Sequence, residues 1–350
     1  MGLKILKERM LKPEQLSEIN RDLAAMTGAG ITIQKAVEIL QKGSSESRIL
    51  RTYAGLEKRL NQGCLLSESM EDMGVFPEMM INMYRAAEAT GKTEATARRL
   101  AVHYQKEHRM ENQIRTALLY PKILLLTAVF VVLCVFWMVI PTVEPLFEGM
   151  ELPVITKILM GFSRIMKERW YIILVVLLVS AVLVQILIKN EKVRLSLDKF
   201  KIHVPIVGKQ LRVIYTARFA RSQSSLYHSG LPMVRSLEIS GKTLGNKYLE
   251  AQFGEIIRDI RGGETLSHAI GKVDGLDGKL GPVIYVGEET GKLDVMLEGI
   301  AENYEHESET ALSRLTAMIE PAMILVMAVV VGGILLGIML PMWNMYGNIG

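Results

Sequence analysis

A phosphate-binding turn is the first chemistry that this sequence suggests. Gly91-Lys92-Thr93 resembles the end of a loop whose backbone amides and lysine surround a nucleotide phosphate. Such a loop requires a glycine five positions before the second glycine and a preceding strand, whereas this sequence has Ala86 and a predicted helix over residues 79–90. A second turn, Thr290-Gly291-Lys292, is followed by Leu293 where a hydroxyl would bind magnesium. Both turns are therefore interpreted as the ends of helices.

The six histidines lack the spacing of a metal site. From His103 to His108 the pattern is one residue longer than the H-x-x-E-H zinc arrangement. His306 has no second histidine four positions later. The sequence also lacks the Gly-x-Ser-x-Gly motif of a serine nucleophile. We therefore expect no catalytic, cofactor-binding or metal-binding residue, and we expect that the protein is not an enzyme.

Two glutamates occupy matching places beside the turns. Glu88 and Glu288 each stand two residues before Thr-Gly-Lys. The favoured interpretation is that each carboxylate binds backbone amides or a neighbouring basic helix. The alternative is that both glutamates belong to a surface that contacts a partner. Four further glutamates between residues 302 and 309 are interpreted as a solvated helix face that could also receive a basic partner.

The matching turns belong to a duplication at an offset of 200 residues. Identical residues recur at this offset without a gap between positions 30 and 141. A period this long indicates two copies of a domain rather than a solenoid of short units. The recurring pairs include Gly30 with Gly230, Gly63 with Gly263, Gly91 with Gly291, Tyr104 with Tyr304, Pro121 with Pro321, and Pro141 with Pro341.

Helical periodicity dominates each copy. Apolar residues between Leu16 and Met26 step by three and four positions and so form one stripe. Strand signals are nearly absent, so each copy is predicted to be a compact helical bundle. Helices are predicted to start near Thr32, Ser44 or Ser45, Pro77, Met233 and Asn246, and to stop near Gly63, Gly91 and Gly263.

Three apolar runs are long enough to cross a membrane. The mean hydropathy of the chain is +0.24, and residues 123–140, 170–188 and 322–341 account for the positive value. A helix of this length spans roughly 30 Å of hydrocarbon, whereas buried core helices, the alternative, suit shorter runs. The runs contain no charged residue or histidine, which argues against an ion path. Gly333 and Gly337 have the spacing that permits close helix packing, although ordinary glycine usage in a membrane helix explains them equally well.

The topology follows from the middle run, which has no counterpart in either copy. Two homologous domains are expected in one compartment, so this run must return the chain before the second copy begins. Basic residues before the first run and after the second place both domains in the cytoplasm. The sequence thus predicts an all-α membrane protein with two homologous cytoplasmic bundles and three transmembrane helices. The predicted order is a short N-terminal segment (1–13), a first cytoplasmic domain (14–122), a span (123–140), an external loop (141–169), a span (170–188), a basic cytoplasmic linker (189–213), a second cytoplasmic domain (214–321), a span (322–341) and an external tail (342–350).

The pattern resembles the type II secretion system F family (GspF/PilC), the inner-membrane platform proteins of type II secretion systems and type IV pili. The resemblance rests on Gly30-Ile31, on Gly230-Leu231-Pro232, on the glycine-rich residues 262–266, and above all on residues 287–293. It covers nearly the whole chain, including the duplication and the three-span layout. Thr32 stands where the second copy has Pro232, so the first copy departs from the pattern. A short N-terminal segment brings the chain nearer to compact members that serve competence pseudopili.

The resemblance implies a non-enzymatic assembly platform without a cofactor. Its implied partners are a hexameric cytoplasmic assembly ATPase, pilins or pseudopilins, other inner-membrane assembly proteins, membrane lipids and further copies of the chain in a homo-oligomer; nucleic acid is not expected. A small-molecule transporter or channel subunit, or a membrane-anchored scaffold unrelated to pili, are the alternatives. The particular system, whether type II secretion, type IV pilus or competence pseudopilus, stays open. Residues that carry the family motif or could dock a partner are Gly30, Glu88, Gly91, Gly230, Pro232, Gly263, Glu288, Gly291 and Pro321.

Overall fold

The computed structural model describes residues 10–43, 46–147 and 152–347, and their secondary structure is helical. The all-helical fold predicted from the sequence is therefore confirmed. The described chain divides into two compact units. The polar unit comprises residues 10–113 and 198–312, and the apolar unit comprises residues 114–197 and 313–347.

The helices follow one another in the order of the duplication. The first helical domain contains α1 (Pro13–Gly28), α2 (Ile33–Gly43), α3 (Ser47–Leu60), α4 (Leu66–Met73), α5 (Glu78–Thr90) and α6 (Thr93–Ala117). Next come α7 (Leu119–Cys134), a π-helical segment (Val135–Val139), α8 (Ile140–Val143), a 3-10 helix (Glu144–Phe147), α9 (Val154–Glu168) and α10 (Trp170–Lys189). The second helical domain contains α11 (Glu191–His203), α12 (Val207–His228), α13 (Met233–Thr243), α14 (Lys247–Arg261), α15 (Leu266–Gly271), α16 (Leu280–Thr290) and α17 (Leu293–Ala317), and α18 (Ile319–Gly347) follows it.

The predicted apolar stripes face the domain cores. On α1, Leu16, Ile19 and Leu23 are buried, as the spacing of three and four predicts. Thr32 caps α2 by accepting a hydrogen bond from the backbone amide of Lys35 at 3.4 Å. The predicted helix start at Ser44 or Ser45 lies outside the described residues.

A glycine turn with the same geometry closes the first helix pair of each domain. Gly30 and Gly230 have φ angles of 81° and 82°, in the left-handed region that favours glycine. After each glycine the amide reaches back to the end of the preceding helix: Ile31 N donates to Met26 O at 3.0 Å, and Leu231 N donates to Leu226 O at 3.3 Å. The two copies of the duplication therefore share the same turn, which follows α1 in the first domain and α12 in the second.

The segment predicted as a basic linker is helical and belongs partly to the second domain. Residues 189–213 include α11 and the start of α12. Ile202 is buried in the core of the second domain. The Asp198 carboxylate accepts a hydrogen bond from Lys247 N at 3.0 Å, and the Asp198 carbonyl accepts one from Asn246 Nδ2 at 3.2 Å. These contacts draw the start of the second domain back from residue 214 to residue 198.

Proline interrupts both long helices at the same place. Pro121 and Pro321 lack the amide that would bond to the carbonyl four residues earlier, at Ala117 and Ala317. α6 and α17 end at these two alanines, and one residue later the helix resumes as α7 and α18. Pro321 thus lies in the first turn of α18, where a proline is tolerated.

The apolar unit contains a helix within the segment predicted as the external loop 141–169. The helix is α9, and residues 148–151 of the segment lie outside the described part. Thr156 Oγ1 donates to Gly337 O at 2.7 Å, and Ser163 Oγ donates to Phe136 O at 2.8 Å. A Cβ at Gly337 would lie 2.0 Å from Leu159 Cδ1, whereas one at Gly333 would meet nothing within 4 Å. Of the two glycines, Gly337 therefore allows the approach of α9.

Two helical stretches, Thr93–Val143 and Leu293–Trp343, contain segments long and apolar enough to cross a membrane. Only 17% and 11% of these segments are buried, which differs from the core helices of a soluble domain. The middle predicted span, residues 170–188, coincides with α10, and its role as a span stays a prediction. The predicted tail 342–350 continues α18 as far as Gly347, and residues 348–350 lie outside the described part.

The two domains fill the same core position differently. In the first domain, the buried hydroxyl of Tyr84 donates to Asn20 Oδ1 at 2.8 Å, and Asn20 Nδ2 donates to Leu16 O at 2.6 Å. The second domain has Ala220 and Ile284 at these places, and both are buried. A hydrogen-bonded pair and an apolar pair therefore serve the same framework, as expected when both partners change together.

The replacement of Asn20 and Tyr84 by Ala220 and Ile284 in the second domain predicts the effect of removing one member of the hydrogen-bonded pair. Asn20→Ala leaves the buried Tyr84 hydroxyl without its acceptor and should lower the free energy of unfolding by about 1–3 kcal/mol. Adding Tyr84→Phe removes the unpaired hydroxyl, so the double variant should be more stable than Asn20→Ala alone. Urea unfolding of the full chain in detergent, followed by circular dichroism, measures both. A double variant less stable than the single one would contradict this account.

Candidate functional site

The two matching glutamates close the first turn of a short helix in each domain. Glu88 Oε1 accepts from Leu66 N at 2.6 Å, and its Oε2 accepts from the Ser67 hydroxyl at 2.6 Å. Glu288 Oε1 accepts from Leu266 N at 2.6 Å, and its Oε2 accepts from Ser267 N at 3.1 Å. The first amides of a helix have no partner inside it, and a carboxylate satisfies them with a favourable charge. The glutamates thus bind backbone amides, which is the favoured of the two interpretations.

The Thr-Gly-Lys turns join two helices. Gly91 and Gly291 have φ angles of 71° and 65° and end α5 and α16. Lys92 N donates to Ala87 O and Lys292 N donates to Gly287 O, both at 3.0 Å. These bonds are those of a helix C-terminus. In the structure the turn follows a helix, so it differs from a phosphate-binding loop, which follows a strand.

Most of the candidate residues lie at two places in each domain where one helix ends and the next begins, here called corners. Gly263, with φ of 97°, ends α14 just before α15, so it lies at the same corner as Glu288 and Gly291. Glu88 and Gly91 form the equivalent corner of the first domain. The other corner is the turn after α1 or α12, with Gly30 in one domain and Gly230 and Pro232 in the other. Pro321 stands apart, in α18. Contact of these corners with a partner stays a prediction.

A contact between the two helical domains was missed by sequence reasoning. Glu305 lies at its centre: its carboxylate pairs with Lys106 Nζ of the first domain at 2.7 Å and with Arg221 Nε of the second. Arg221 also pairs with Glu298 at 3.1 Å, and Ser224 Oγ donates to Glu298 at 2.6 Å. The sequence indicated only that glutamates near residue 305 could receive basic partners, because their partners are distant in the chain.

A second group of contacts joins α5 to α13. Glu78 pairs with Arg235 at 3.2 Å and with Lys242 at 2.8 Å. Apolar residues accompany these ion pairs, because Leu226 and Ile239 of the second domain belong to the same buried cluster as the core of the first. Exposed ion pairs contribute little free energy, so the apolar burial supplies most of the attraction and the charges select the register.

A cavity of about 530 Å³ lies within the polar unit between α1, α6, α12 and α17. Three buried polar atoms among the described residues of its wall lack a protein partner: His103 Nδ1, Tyr104 Oη and Arg221 Nη2. Burial lowers the pKa of His103 to about 4, and the nearby charges of Arg221 and Lys106 act in the same direction. The imidazole is therefore neutral at neutral pH. Ordered water is the usual partner for buried groups of this kind.

These features define a duplicated all-helical protein whose apolar helices suit a membrane and whose charged and apolar contacts hold two similar domains together. The family model for type II secretion system protein F matches it twice, over residues 20–141 and 219–341. The chain therefore belongs to this family. The two matched segments are the two copies of the duplication together with the helices α7 and α18.

Curated relatives are similar over nearly the whole length. Type II secretion system protein F of Aeromonas hydrophila is 29% identical over 343 residues, which cover 96% of this chain and 88% of the relative. Type IV pilus assembly protein PilC of Myxococcus xanthus is 28% identical over 332 residues, covering 94% and 80%. The PilC protein of Thermus thermophilus is 29% identical over 339 residues, covering 96% and 84%. The resemblance stated from the sequence is confirmed.

Removing the hydrogen bonds of the Glu288 carboxylate is expected to destabilise the start of α15. Glu288→Ala leaves the first amides of α15 unpaired and should lower the free energy of unfolding by about 1–2 kcal/mol. Hydrogen exchange at Leu266 and Ser267 should accelerate while exchange in α14 changes little. Glu289→Ala, at the exposed neighbouring position, is the matched control. Unchanged exchange at the start of α15 would show that the carboxylate does not hold it.

The low pKa of His103 predicts a pH-dependent loss of stability. The unfolded chain takes up a proton below about pH 6.5, but the folded chain does so only near pH 4, so stability falls as the pH drops through this window. The loss should amount to about 2 kcal/mol between pH 7 and pH 5. His103→Asn, which introduces the residue found at the equivalent position 303, should remove this part of the pH dependence. Equal slopes for both proteins in unfolding experiments would contradict it.

Proposed function

We propose that the protein is the membrane platform of a type II secretion or type IV pilus-like system, and that it couples a cytoplasmic assembly ATPase to the polymerisation of pilins or pseudopilins. The family match over both copies carries this proposal. Relatives named for type II secretion and for type IV pilus assembly are about equally similar, so the proposal covers both kinds of system. The chain itself is proposed to have no enzymatic activity.

The structure supports a division of labour between the two units. The polar unit carries two copies of one domain, and each copy presents an exposed Thr-Gly-Lys turn two residues after the glutamate that binds the first amides of α4 or α15. A motor that binds such a turn would find it twice in each chain. The apolar unit exposes large hydrophobic side chains, which suits contact with lipid and with the apolar helices of pilin subunits.

The proposed topology places the polar unit in the cytoplasm of a bacterium and α7, α10 and α18 across its inner membrane. Residues 141–169 and the C-terminus then lie outside. Basic residues of α11 would face the cytoplasmic headgroups, where each contributes on the order of 1 kcal/mol. Other inner-membrane assembly proteins and further copies of the chain are proposed as neighbours in the membrane.

Cysteine labelling in whole cells tests the topology. After both native cysteines are replaced by serine, a cysteine at Lys157 on α9 should react with a membrane-impermeant maleimide from outside the inner membrane. A cysteine at Lys58 on α3 should react only after the membrane is permeabilised. Reaction of both positions from the same side would exclude the proposed arrangement.

Charge reversal tests the docking of the ATPase. Lys92→Glu with Lys292→Glu alters the exposed lysine of both turns and should abolish co-purification of the ATPase and piliation or secretion. Lys58→Glu with Arg258→Glu, which changes equivalent exposed cations on α3 and α14, makes the same change of charge elsewhere and should leave both intact. If the turn variant recruits the ATPase and assembles the fibre as the control does, the turns do not dock the motor.

A further inference from the structure

One side of helix α11 packs on the second helical domain. Ile202 is 1% exposed and belongs to the core of that domain. Asp198 is 5% exposed, and its carboxylate accepts the hydrogen bond from Lys247 N at the start of α14. These two contacts determine which side of α11 faces the domain, so the residues on the opposite side of the helix face outward.

The outward side of α11 carries a stripe of apolar residues. Val193, Leu197, Phe200 and Val204 follow one another at intervals of four, three and four positions, so they share one helix face. The helical hydrogen bonding continues to the last of them, because Val204 N donates to Phe200 O at 3.0 Å. Leu197 and Phe200 are 43% and 68% exposed. An exposed apolar stripe of this kind is typical of a helix that contacts an apolar partner.

Cations border the apolar stripe along both edges. Lys192 and Lys199 are seven residues apart on one edge, and Arg194 and Lys201 have the same spacing on the other. All four are exposed, whereas one of the two acidic residues of α11, Asp198, is buried. This pattern is typical of a helix in the plane of a membrane surface, with its apolar face among the acyl chains and its cations extended to the phosphates.

The position of α11 in the chain also favours a membrane surface. A single residue, Asn190, separates α11 from α10, the middle of the three proposed spans. Asn190 has an extended backbone, with φ of −74° and ψ of 117°, which ends α10. Its Oδ1 accepts a hydrogen bond from Lys192 N at 3.1 Å, so the same residue begins α11. A new helix therefore starts where the apolar run of α10 ends.

A strained turn after α11 exposes a further apolar side chain. Ile206 has φ of 70° and ψ of −61°, and it is the only residue other than glycine with a positive φ among those that the structure describes. Val207 N donates to Pro205 O at 2.9 Å, so the turn is a γ-turn of the rare form with a positive φ. A β-branched residue is unfavourable in this conformation, and glycine would relieve the strain. Ile206 is nevertheless 64% exposed, so packing within the protein does not account for the isoleucine.

We propose that α11 and the turn at Ile206 lie in the surface of a bilayer that contains anionic phospholipids, with Val193, Leu197, Phe200 and Ile206 among the acyl chains. The inference rests on the proposed topology, which brings the cations of α11 to the headgroups, and adds the insertion of the apolar stripe below them. Lipid is the occupant because the stripe adjoins a span and has cations along both edges. Since the other side of α11 buries Ile202 in the second domain, the helix attaches that domain to the membrane surface.

Spin labelling of the full chain in nanodiscs tests the insertion. With both native cysteines replaced by serine, Phe200→Cys carries a nitroxide in nanodiscs of phosphatidylglycerol and phosphatidylcholine. Oxygen concentrates among the acyl chains and the nickel complex NiEDDA in water, so power saturation with both should place this label about 5–10 Å below the phosphates. Glu255→Cys, at an exposed position on α14 of the same domain, is the matched control and should behave as a site in water.

Two outcomes would overturn the proposal. A label at residue 200 with the accessibility of the Glu255 label would show that the stripe lies in water. Protection from both oxygen and NiEDDA would show that protein covers it. Leu197→Cys labels the same stripe through a different residue and should give the same depth, and circular dichroism checks that each variant folds.

Lipid composition tests the role of the cations. In nanodiscs of phosphatidylcholine alone, the accessibility of the label at residue 200 to NiEDDA should rise by about threefold, because the cations lose their anionic partners, and that of the Glu255 label should not change. Equal accessibility with and without phosphatidylglycerol would exclude anionic lipid as the ligand. Labelling at Lys157 and Lys58 tests the topology, and co-purification tests the ATPase contact. A label in water at residue 200 of a chain with the proposed topology therefore contradicts the insertion alone.

Discussion

The ion pair between Lys106 and Glu305 links the first helical domain to the second. Glu305 is also a partner of Arg221, and an arginine residue that is only 9% exposed must be paired, because an isolated charge in the interior is strongly unfavourable. Glu298 and Glu305 supply the negative charge, and Lys106 of the other domain balances the second oxygen of Glu305. Apolar contact supplies most of the attraction, and the ion pairs that Lys106 and Glu78 make across the contact favour the alignment in which each reaches its partner.

The duplication shows which parts of the domain resist change. The glutamate that closes α4 or α15 and the glycine that ends α5 or α16 are the same in both copies. By contrast, the buried pair of Asn20 and Tyr84 has become Ala220 and Ile284. A core position accepts any pair that fills the space and satisfies its own polar atoms. The first amides of a helix always need an acceptor, and a corner with a positive φ strongly favours glycine, so these positions have few alternatives.

Local features of the fold could be predicted from the sequence. The stripe on α1, the cap at Thr32 and the helix stops depend on residues a few positions apart, and the duplication allowed each to be checked twice. The binding of backbone amides by Glu88 was predictable, but the amides of Leu66 and Ser67 were not, since they lie on another helix. Helices α9 and α11 were missed because segments between apolar runs were treated as connections. The pairing of Lys106 with Glu305 depends on tertiary structure and has no local signal.

Fusion of the two domains in one chain has a genetic consequence. If the domains were separate identical subunits, every substitution on α2 would also change the equivalent helix of the neighbour. Here Ile39 and Ile239 are encoded separately, so the exposed face can vary while the buried one is kept. Selection can thus alter the exposed surface of the first domain without changing the residues of the second domain that form the contact between the two. The single gene also fixes their ratio at one to one, whatever the level of expression.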